Sequence, residues 1–115
     1  MTLNEKQWLF SRLIIRLIDY AHSAGYEIAC GEFHRPPETA ALYAKSGKGI
    51  ANSLHCVKLA ADLMLFKDGV YLTRTEDYAA LGAYWKSLHP SAAWGGDFKA
   101  RPDGGHYSIE HEGRA

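Results

Sequence analysis

The stretch Ser53-Leu-His-Cys-Val-Lys-Leu-Ala-Ala-Asp-Leu-Met-Leu-Phe66 contains an imidazole, His55, seven residues before a carboxylate, Asp62. Its second half, from Ala60, is predicted to be a strand, on which Asp62 points to one face and Leu63 to the other. A fully extended chain would hold His55 and Asp62 too far apart to bind one ion. We therefore expect the chain to turn between them, at the step from a loop into the strand.

A second stretch, Asp103-Gly-Gly-His106, supplies another imidazole and another carboxylate. His106 is predicted to open the last strand, from which its side chain can approach the same point. Three protein ligands, His55, Asp62 and His106, leave the fourth position of a tetrahedral zinc ion to water, whose pKa the metal lowers to about 7. Asp103 is then free to act as a general base. The pattern indicates zinc-dependent hydrolysis.

Two further residues can serve such a reaction. A tetrahedral oxyanion needs a hydrogen-bond donor besides the metal, and Arg35, in a loop before a helix, can supply it or clamp a substrate carboxylate. Arg35 can equally be the partner of Glu32 or Glu38 in a surface ion pair. Ser53, two residues before the first ligand, can donate a hydrogen bond to the substrate or support a ligand.

Composition limits the class of protein. With 115 residues, of which 47% are hydrophobic, the chain is expected to form one domain, residues 1–115, with a single core. Thirteen basic and thirteen acidic residues balance, so the charge excess of a nucleic-acid-binding protein is missing. Cys30 and Cys56 are too few for a disulfide framework, and we expect two free thiols.

The apolar run from Trp8 to Ile18 is interrupted by charged side chains, and no cleavage site of a signal peptide follows it. No stretch is long enough to span a bilayer. We therefore expect a protein that is made in the cytoplasm and does not insert into a membrane. It would need a route other than a signal peptide to reach a target outside the cell. We also expect a monomer.

Periodicity and turn signals predict the secondary structure around these motifs. The first helix is expected to start at an Asn4–Gln7 capping pair and to stop at Gly25. The predicted helices are 4–24, 36–45 and 75–88, and the predicted strands are 26–31, 60–66, 70–72 and 106–109.

Four residues near the motifs allow more than one interpretation. His111 has the opposite strand parity to His106 and is left out of the ligand set. Cys56 is interpreted as a small buried hydrophobic residue rather than a nucleophile. Asp97 can brace the turn that precedes His106, and Trp94 can line a cleft; both can equally belong to the core.

The combination of Ser-x-His, Asp seven residues after that His, Asp-x-x-His near the C-terminus and an upstream Arg resembles the LAS-type metallopeptidases. These are D-alanyl-D-alanine carboxypeptidases and dipeptidases and L-alanyl-D-glutamate endopeptidases. Within that group, residues 53–63 together with Trp94-Gly-Gly-Asp97-Phe are similar to single-domain endolysins of bacteriophages and prophages. The resemblance covers roughly Gly31 to His111. One position departs from the pattern of these peptidases. They usually have glycine three residues after the first ligand, and this chain has Lys58 there.

The resemblance implies a small α+β fold in which about three helices flank an antiparallel sheet. It also implies zinc-dependent hydrolysis of peptidoglycan stem peptides, with His55, Asp62 and His106 as ligands, Asp103 as base and Arg35 as oxyanion or substrate clamp. The first hypothesis is an L-alanyl-D-glutamate endopeptidase that a phage releases through a holin to lyse its host. A D-alanyl-D-alanine carboxypeptidase or dipeptidase, and a non-catalytic zinc-bearing wall-binding module, are the alternatives.

Overall fold

The computed structural model describes residues 1–115 and contains three α-helices and five strands. The helices are α1 (Leu3–Ser23), α2 (Pro37–Lys45) and α3 (Ala79–Leu88). The strands are β1 (Glu27–Cys30), β2 (Ala60–Lys67), β3 (Val70–Tyr71), β4 (Ala92–Trp94) and β5 (His106–Ile109). Short 3-10 turns cover Leu54–Val57, Thr75–Tyr78 and Gly95–Asp97. The predicted α+β class, with three helices beside a small antiparallel sheet, is confirmed.

Strand β2 organises the sheet, whose order is β1-β2-β5-β4, with β3 pairing the end of β2. All pairs are antiparallel. The first half of β2 pairs with β5 in a register that sets Asp62 opposite His106. Residues directly opposite in an antiparallel pair lie about 4.5–5.5 Å apart at their Cα atoms, with side chains on the same face. Strand pairing thus brings together two residues that are distant in the sequence.

Alternation along β2 separates the core from the site. Leu63 and Leu65 are fully buried, whereas Met64 is exposed and Asp62 is partly accessible, as the pattern predicts. Helices α1 and α3 cover the buried face of the sheet. The largest side chains of this core are Trp85, Tyr107, Leu17, Leu54, Leu59, Leu81 and Ile109. The face that carries Asp62 is left open to a ligand.

Helix α1 is amphipathic, as expected, and buries the stripe Phe10, Leu13, Ile14, Leu17 and Ala21. The expected start at Asn4 is wrong. Thr2 caps the helix, because its hydroxyl accepts from the Glu5 N–H at 3.1 Å while the Glu5 carboxylate accepts from the Thr2 N–H at 2.8 Å. None of the three helices combines the length and the apolar character needed to cross a membrane.

The remaining differences concern short segments. The predicted hairpin is present, with Asp68 and Gly69 both at positive φ (51° and 79°), as a two-residue turn between strands of this twist requires. The helix predicted over 75–88 begins as a 3-10 turn, in which the Tyr78 hydroxyl accepts from the Leu65 N–H and donates to the Leu72 carbonyl. Strand β4 was not predicted, since its three residues are too few to show the alternation of apolar and polar side chains that indicates a strand.

Candidate functional site

A tight turn orients the first candidate ligand, His55. Ser53 caps the 3-10 turn, and its buried hydroxyl accepts from the His55 N–H at 3.2 Å. Lys58 follows in the left-handed conformation, at φ 60° and ψ 37°, and the Leu59 N–H closes the turn on the Leu54 carbonyl. The turn predicted between His55 and Asp62 is therefore present. At the position where the family usually has glycine, Lys58 adopts a conformation that favours glycine.

The turn brings His55 and Asp62 together with His106. His55 Nε2 lies 3.3 Å from Asp62 Oδ2, and His106 Nδ1 lies 3.5 Å from Asp62 Oδ1. One donor atom from each residue lies within 4.8 Å of the others, an arrangement that can hold a metal ion. Donor atoms about 2.1 Å from a tetrahedral zinc ion are about 3.4 Å from one another. The two distances to Asp62 are close to that spacing.

The hydrogen bonding of the three side chains also fits a cation. His55 Nδ1 lies 3.3 Å from the Phe33 carbonyl, so that an Nδ1–H donating to it leaves the Nε2 lone pair directed at Asp62. Asp62 Oδ1 and His106 Nε2 are buried without a hydrogen-bond partner. Burial would raise the pKa of the Asp62 carboxyl, but the neighbouring imidazoles of His106 and His55 outweigh it and hold the pKa well below its usual range.

Residues 31–35 form the backbone frame between these ligands. The Gly31 N–H donates to the Asp62 carbonyl at 2.8 Å, and the Asp62 N–H donates to the Glu32 carbonyl at 2.9 Å. The Arg35 N–H donates to the His55 carbonyl at 3.1 Å. A Cβ atom at Gly31 would lie 2.9 Å from the Asp62 carbonyl oxygen, which is too close for a side chain. One segment therefore fixes two candidate ligands and Arg35 relative to one another.

Arg35 is held within the site rather than on the surface, since its side chain is 12% exposed. Its Nε and Nη2 atoms both lie 2.5 Å from Glu32 Oε1, and its guanidinium lies over the Tyr43 ring, 4.9 Å from the centroid. Of the two acidic partners that the sequence allowed, Glu32 is the one present and Glu38 is exposed. Arg35 lines the same cleft as His55 and His106.

Asp103 stands at the mouth of this cleft, on the turn that leads into β5. Its N–H donates to the Gly95 carbonyl at 2.9 Å, and its carbonyl accepts from the His106 N–H at 3.2 Å. Partial burial, and next the negative charge of Asp62, raise the pKa of the Asp103 carboxyl above its usual value. A carboxyl with a raised pKa beside a candidate metal group is suited to accept a proton.

Trp94 supports this turn from the core. It is 8% exposed, and its indole N–H donates to the Gly104 carbonyl at 2.7 Å. Of the two positions left open for Asp97, neither is observed, because its carboxylate accepts from Lys86 Nζ at 2.7 Å in an exposed ion pair.

The other residues considered lie apart from the cleft. His111 lies beyond the end of β5 and contacts Lys6 Nζ and Glu112, each at 2.9 Å. Cys30 is exposed and Cys56 is half-buried, and both are free thiols.

Two cavities meet at Asp62, Pro102 and Asp103. The first, which we call the cationic cleft, measures about 370 Å³. Its lining includes Arg35, Lys48, Ser53, His55, Phe98, Arg101, His106 and Ala115. The second, which we call the polar cavity, measures about 330 Å³. Its lining includes Met64, Tyr71, Leu72, Thr73, Arg74, Thr75 and Tyr78.

The sequence pattern predicted the segment 46–49, which contains Lys48, as a rim of the site, but it did not indicate Arg101 as a cleft residue. Arg101 Nη1 donates to the Gly47 carbonyl at 2.9 Å, across 54 positions of the sequence. No local pattern indicates such a contact, which depends on how the two loops meet.

Two solved structures share this architecture. The crystal structure of the L-Ala D-Glu endopeptidase ChiX from Serratia marcescens matches with a TM-score of 0.70 and 21% identity, over 87% of this chain and 79% of that chain. A variant of the vancomycin-resistance D,D-pentapeptidase VanY from a VanB-type cassette, in complex with Zn(II), matches with a TM-score of 0.56 and 20% identity. The match covers 87% of this chain and 70% of that chain. Neither a protein-family model nor a curated protein matches the chain. The chain therefore has the fold of these two peptidases, and His55, Asp62 and His106 form the group in it that can hold a metal ion.

Proposed function

We propose that this chain is a zinc metallopeptidase of the LAS type that hydrolyses peptidoglycan stem peptides, with the L-alanyl-D-glutamate bond as its substrate. The observation that carries the proposal is the convergence of His55, Asp62 and His106 beside a carboxylate, Asp103, that is not needed to hold the metal. A purely structural zinc site is usually closed by four ligands and has no use for such a group. The names of the two structural neighbours agree with this chemistry.

Zinc bound by these residues would polarise the scissile carbonyl and lower the pKa of water. Asp103 accepts the proton of the attacking water at its carboxylate, and then delivers it to the leaving amine. The raised pKa of Asp103 favours this delivery, because the protonated carboxyl forms more readily than that of an ordinary aspartate.

Arg35 supplies positive charge to the oxyanion that develops on the scissile carbonyl. Its guanidinium lines the cleft beside His55 and is held in place by Glu32 and Tyr43 before any substrate arrives. A preorganised donor of this kind contributes more than a mobile one, because it does not have to reorient during the reaction. Ser53 acts indirectly, since its hydroxyl is used to hold the His55 backbone.

The shape of the site favours an endopeptidase over a carboxypeptidase. The cationic cleft and the polar cavity lie on two sides of Asp62 and Asp103. A peptide can therefore continue in both directions from the scissile bond, as cleavage inside a chain requires. A D-alanyl-D-alanine carboxypeptidase would instead use Arg35 to hold a terminal carboxylate. That guanidinium is already paired with Glu32.

Mass spectrometry of digested peptidoglycan tests the proposal. Wild-type protein and Asp103→Asn, each assayed for zinc, are incubated with purified Gram-negative peptidoglycan, and the new termini are identified. New D-glutamate amino termini from the wild type alone support the endopeptidase. Released D-alanine would assign the chain to the carboxypeptidases, and stoichiometric zinc without any cut bond would support the non-catalytic wall-binding module.

The biological role that we propose is host lysis by a phage endolysin, which rests on the similarity of residues 53–63 and 94–98 to such enzymes. The chain would act from the cytoplasm after a holin opens the membrane. Co-expression in a Gram-negative bacterium with and without a membrane-permeabilising holin tests this role. Lysis that needs both the holin and an intact Asp103 supports it, and lysis by Asp103→Asn would contradict it.

A further inference from the structure

Three cations line the cationic cleft, and they differ in their partners. Arg35 is paired with Glu32. Lys48 and Arg101 form no ion pair with any carboxylate of the chain. Their positive charge is therefore available to an anionic group that enters the cleft.

The fold joins the Arg101 side chain to the loop that carries Lys48. The Arg101 guanidinium donates to the carbonyl of Gly47, the residue that precedes Lys48. Two positive groups on the wall of one cleft can both attract an anionic group that enters it. Asp62 and Asp103 also line this cleft, and neither carboxylate is paired with Lys48 or Arg101.

The polar cavity has no unpaired cation of this kind. Its one cation, Arg74, lies 4.0 Å from Glu76 and 3.5 Å from Asp77. The unpaired positive charge is thus confined to one side of Asp62 and Asp103, which gives the substrate path a direction.

We propose that Lys48 and Arg101 bind the free carboxylate of the residue that follows the scissile bond and select it over the corresponding carboxamide. This inference rests on the proposed function and adds the orientation of the substrate to it. D-Glutamate in a stem peptide is joined to the next residue through its γ-carboxyl, so its α-carboxyl is free unless the wall amidates it. The peptide that precedes the cut then occupies the polar cavity.

Synthetic peptides test the selection. The first is L-Ala-γ-D-Glu-L-Lys, the second carries the α-carboxamide of D-glutamate, and the third keeps that α-carboxylate but has a C-terminal carboxamide. We expect the wild type to cleave the first and third with kcat/KM about tenfold above the second, as expected for loss of a charge-assisted contact. Discrimination against the third peptide instead would overturn the assignment to D-glutamate.

Variants locate the effect. Arg101→Gln and Lys48→Gln are expected to raise KM for the α-carboxylate peptide about tenfold while leaving cleavage of the carboxamide unchanged. Matched controls, Arg74→Gln in the polar cavity and Lys45→Gln on α2, should preserve the preference. A preference that survives in the double variant Lys48→Gln/Arg101→Gln would overturn the inference.

The outcomes separate this inference from the proposed function. Equal cleavage of the carboxylate and carboxamide peptides by the wild type overturns the selection alone. Failure of the zinc-loaded wild type to cut any peptide would overturn the proposed function together with the selection.

Discussion

Arg35 donates to a single carboxylate oxygen of Glu32 through both Nε and Nη2, each at a distance of 2.5 Å. The pair is partly buried, with Arg35 12% and Glu32 28% exposed. Glu32 therefore determines where the guanidinium points, and it also leaves Arg35 less free to take up a substrate carboxylate.

We predict that Arg35→Lys lowers kcat by about 10²- to 10³-fold, because an ammonium group cannot reproduce the planar fork that Glu32 holds. Glu32→Gln, which keeps an acceptor but loses the charge, should lower kcat by about tenfold through misplacement of Arg35. Steady-state kinetics on a stem peptide measure both effects. Glu38→Gln, an exposed neighbour on α2, is the control and should match the wild type. Equal kinetics for Glu32→Gln and Glu38→Gln would show that Glu32 does not position Arg35.

Asp103→Asn should lower kcat by about 10²- to 10⁴-fold, the usual contribution of a general base, yet make the zinc-free protein more stable at pH 7. The pKa of Asp103 is raised in the folded protein, so its charged form is disfavoured relative to the unfolded chain. Stability is therefore lost as pH rises from the ordinary aspartate value, 3.8, through the folded value. The substitution Asp103→Asn removes the charge and should therefore restore this lost stability.

Urea unfolding of the zinc-free wild type and Asp103→Asn at pH 4 and pH 7 measures the change in the free energy of unfolding. The stabilisation by Asp103→Asn should be present at pH 7 and smaller at pH 4. Asp97→Asn, which removes an exposed carboxylate that is paired with Lys86, should not be stabilising. A gain of equal size at both pH values would mean that titration of Asp103 is not its cause.

Chelation distinguishes the metal ligands from the base. Zinc that binds only the folded state raises stability, so EDTA should lower the Tm of the zinc-loaded wild type by several degrees. Asp62→Ala, which lacks a ligand, should show almost no change on chelation. Asp103→Asn should retain the full shift, measured by differential scanning calorimetry with zinc assayed in parallel. A loss of the shift in Asp103→Asn would place Asp103 among the ligands instead.

Lys58→Gly should stabilise the protein by about 1 kcal/mol, because Lys58 occupies the left-handed region that costs a residue with a Cβ atom about that much. Chemical denaturation measures the change. Lys58→Ala separates the backbone effect from loss of the side chain, since alanine keeps the strain. A gain for alanine equal to that for glycine would attribute the effect to the side chain.

Gly82→Ala should destabilise the protein by about 1–3 kcal/mol, the range for an overpacked core. A Cβ atom at Gly82 would lie 2.2 Å from Cδ2 of Trp94, whose ring is fixed by its hydrogen bond to Gly104. Urea unfolding measures the loss, and Ser87→Ala on the exposed side of α3 is the control. A stability loss no larger than that of the control would mean that the Trp94 ring can move.

Local patterns predicted part of this structure. Strand β2 and its hairpin follow from alternation and the Asp68-Gly69 turn, which are short-range signals. The helix start was misplaced because Asn4–Gln7 and Thr2–Glu5 both fit the capping spacing, and only the structure shows which pair bonds. Spacing and the family resemblance suggested His55, Asp62 and His106, but their approach depends on the pairing of β2 with β5.

The charges on the cleft wall could not be predicted in this way. Arg101 reaches Gly47 through one side chain and one carbonyl, and neither residue carries a local signal for that contact. Likewise, Gly95 looks like an ordinary turn glycine in the sequence. In the fold a Cβ atom there would lie 2.2 Å from the Asp103 carbonyl oxygen.

The two rims of the cleft are anchored very differently. Trp94 is set between Gly82 and Gly96, neither of which has room for a Cβ atom, and it ties the Asp103 turn to the core. The opposite rim, 46–52, is joined to the rest of the chain by α2 and by side-chain contacts from Arg101 and Arg114 to its carbonyls. Substitutions can therefore accumulate in the second rim, and change which ligand the cleft accepts, while Asp103 keeps its position.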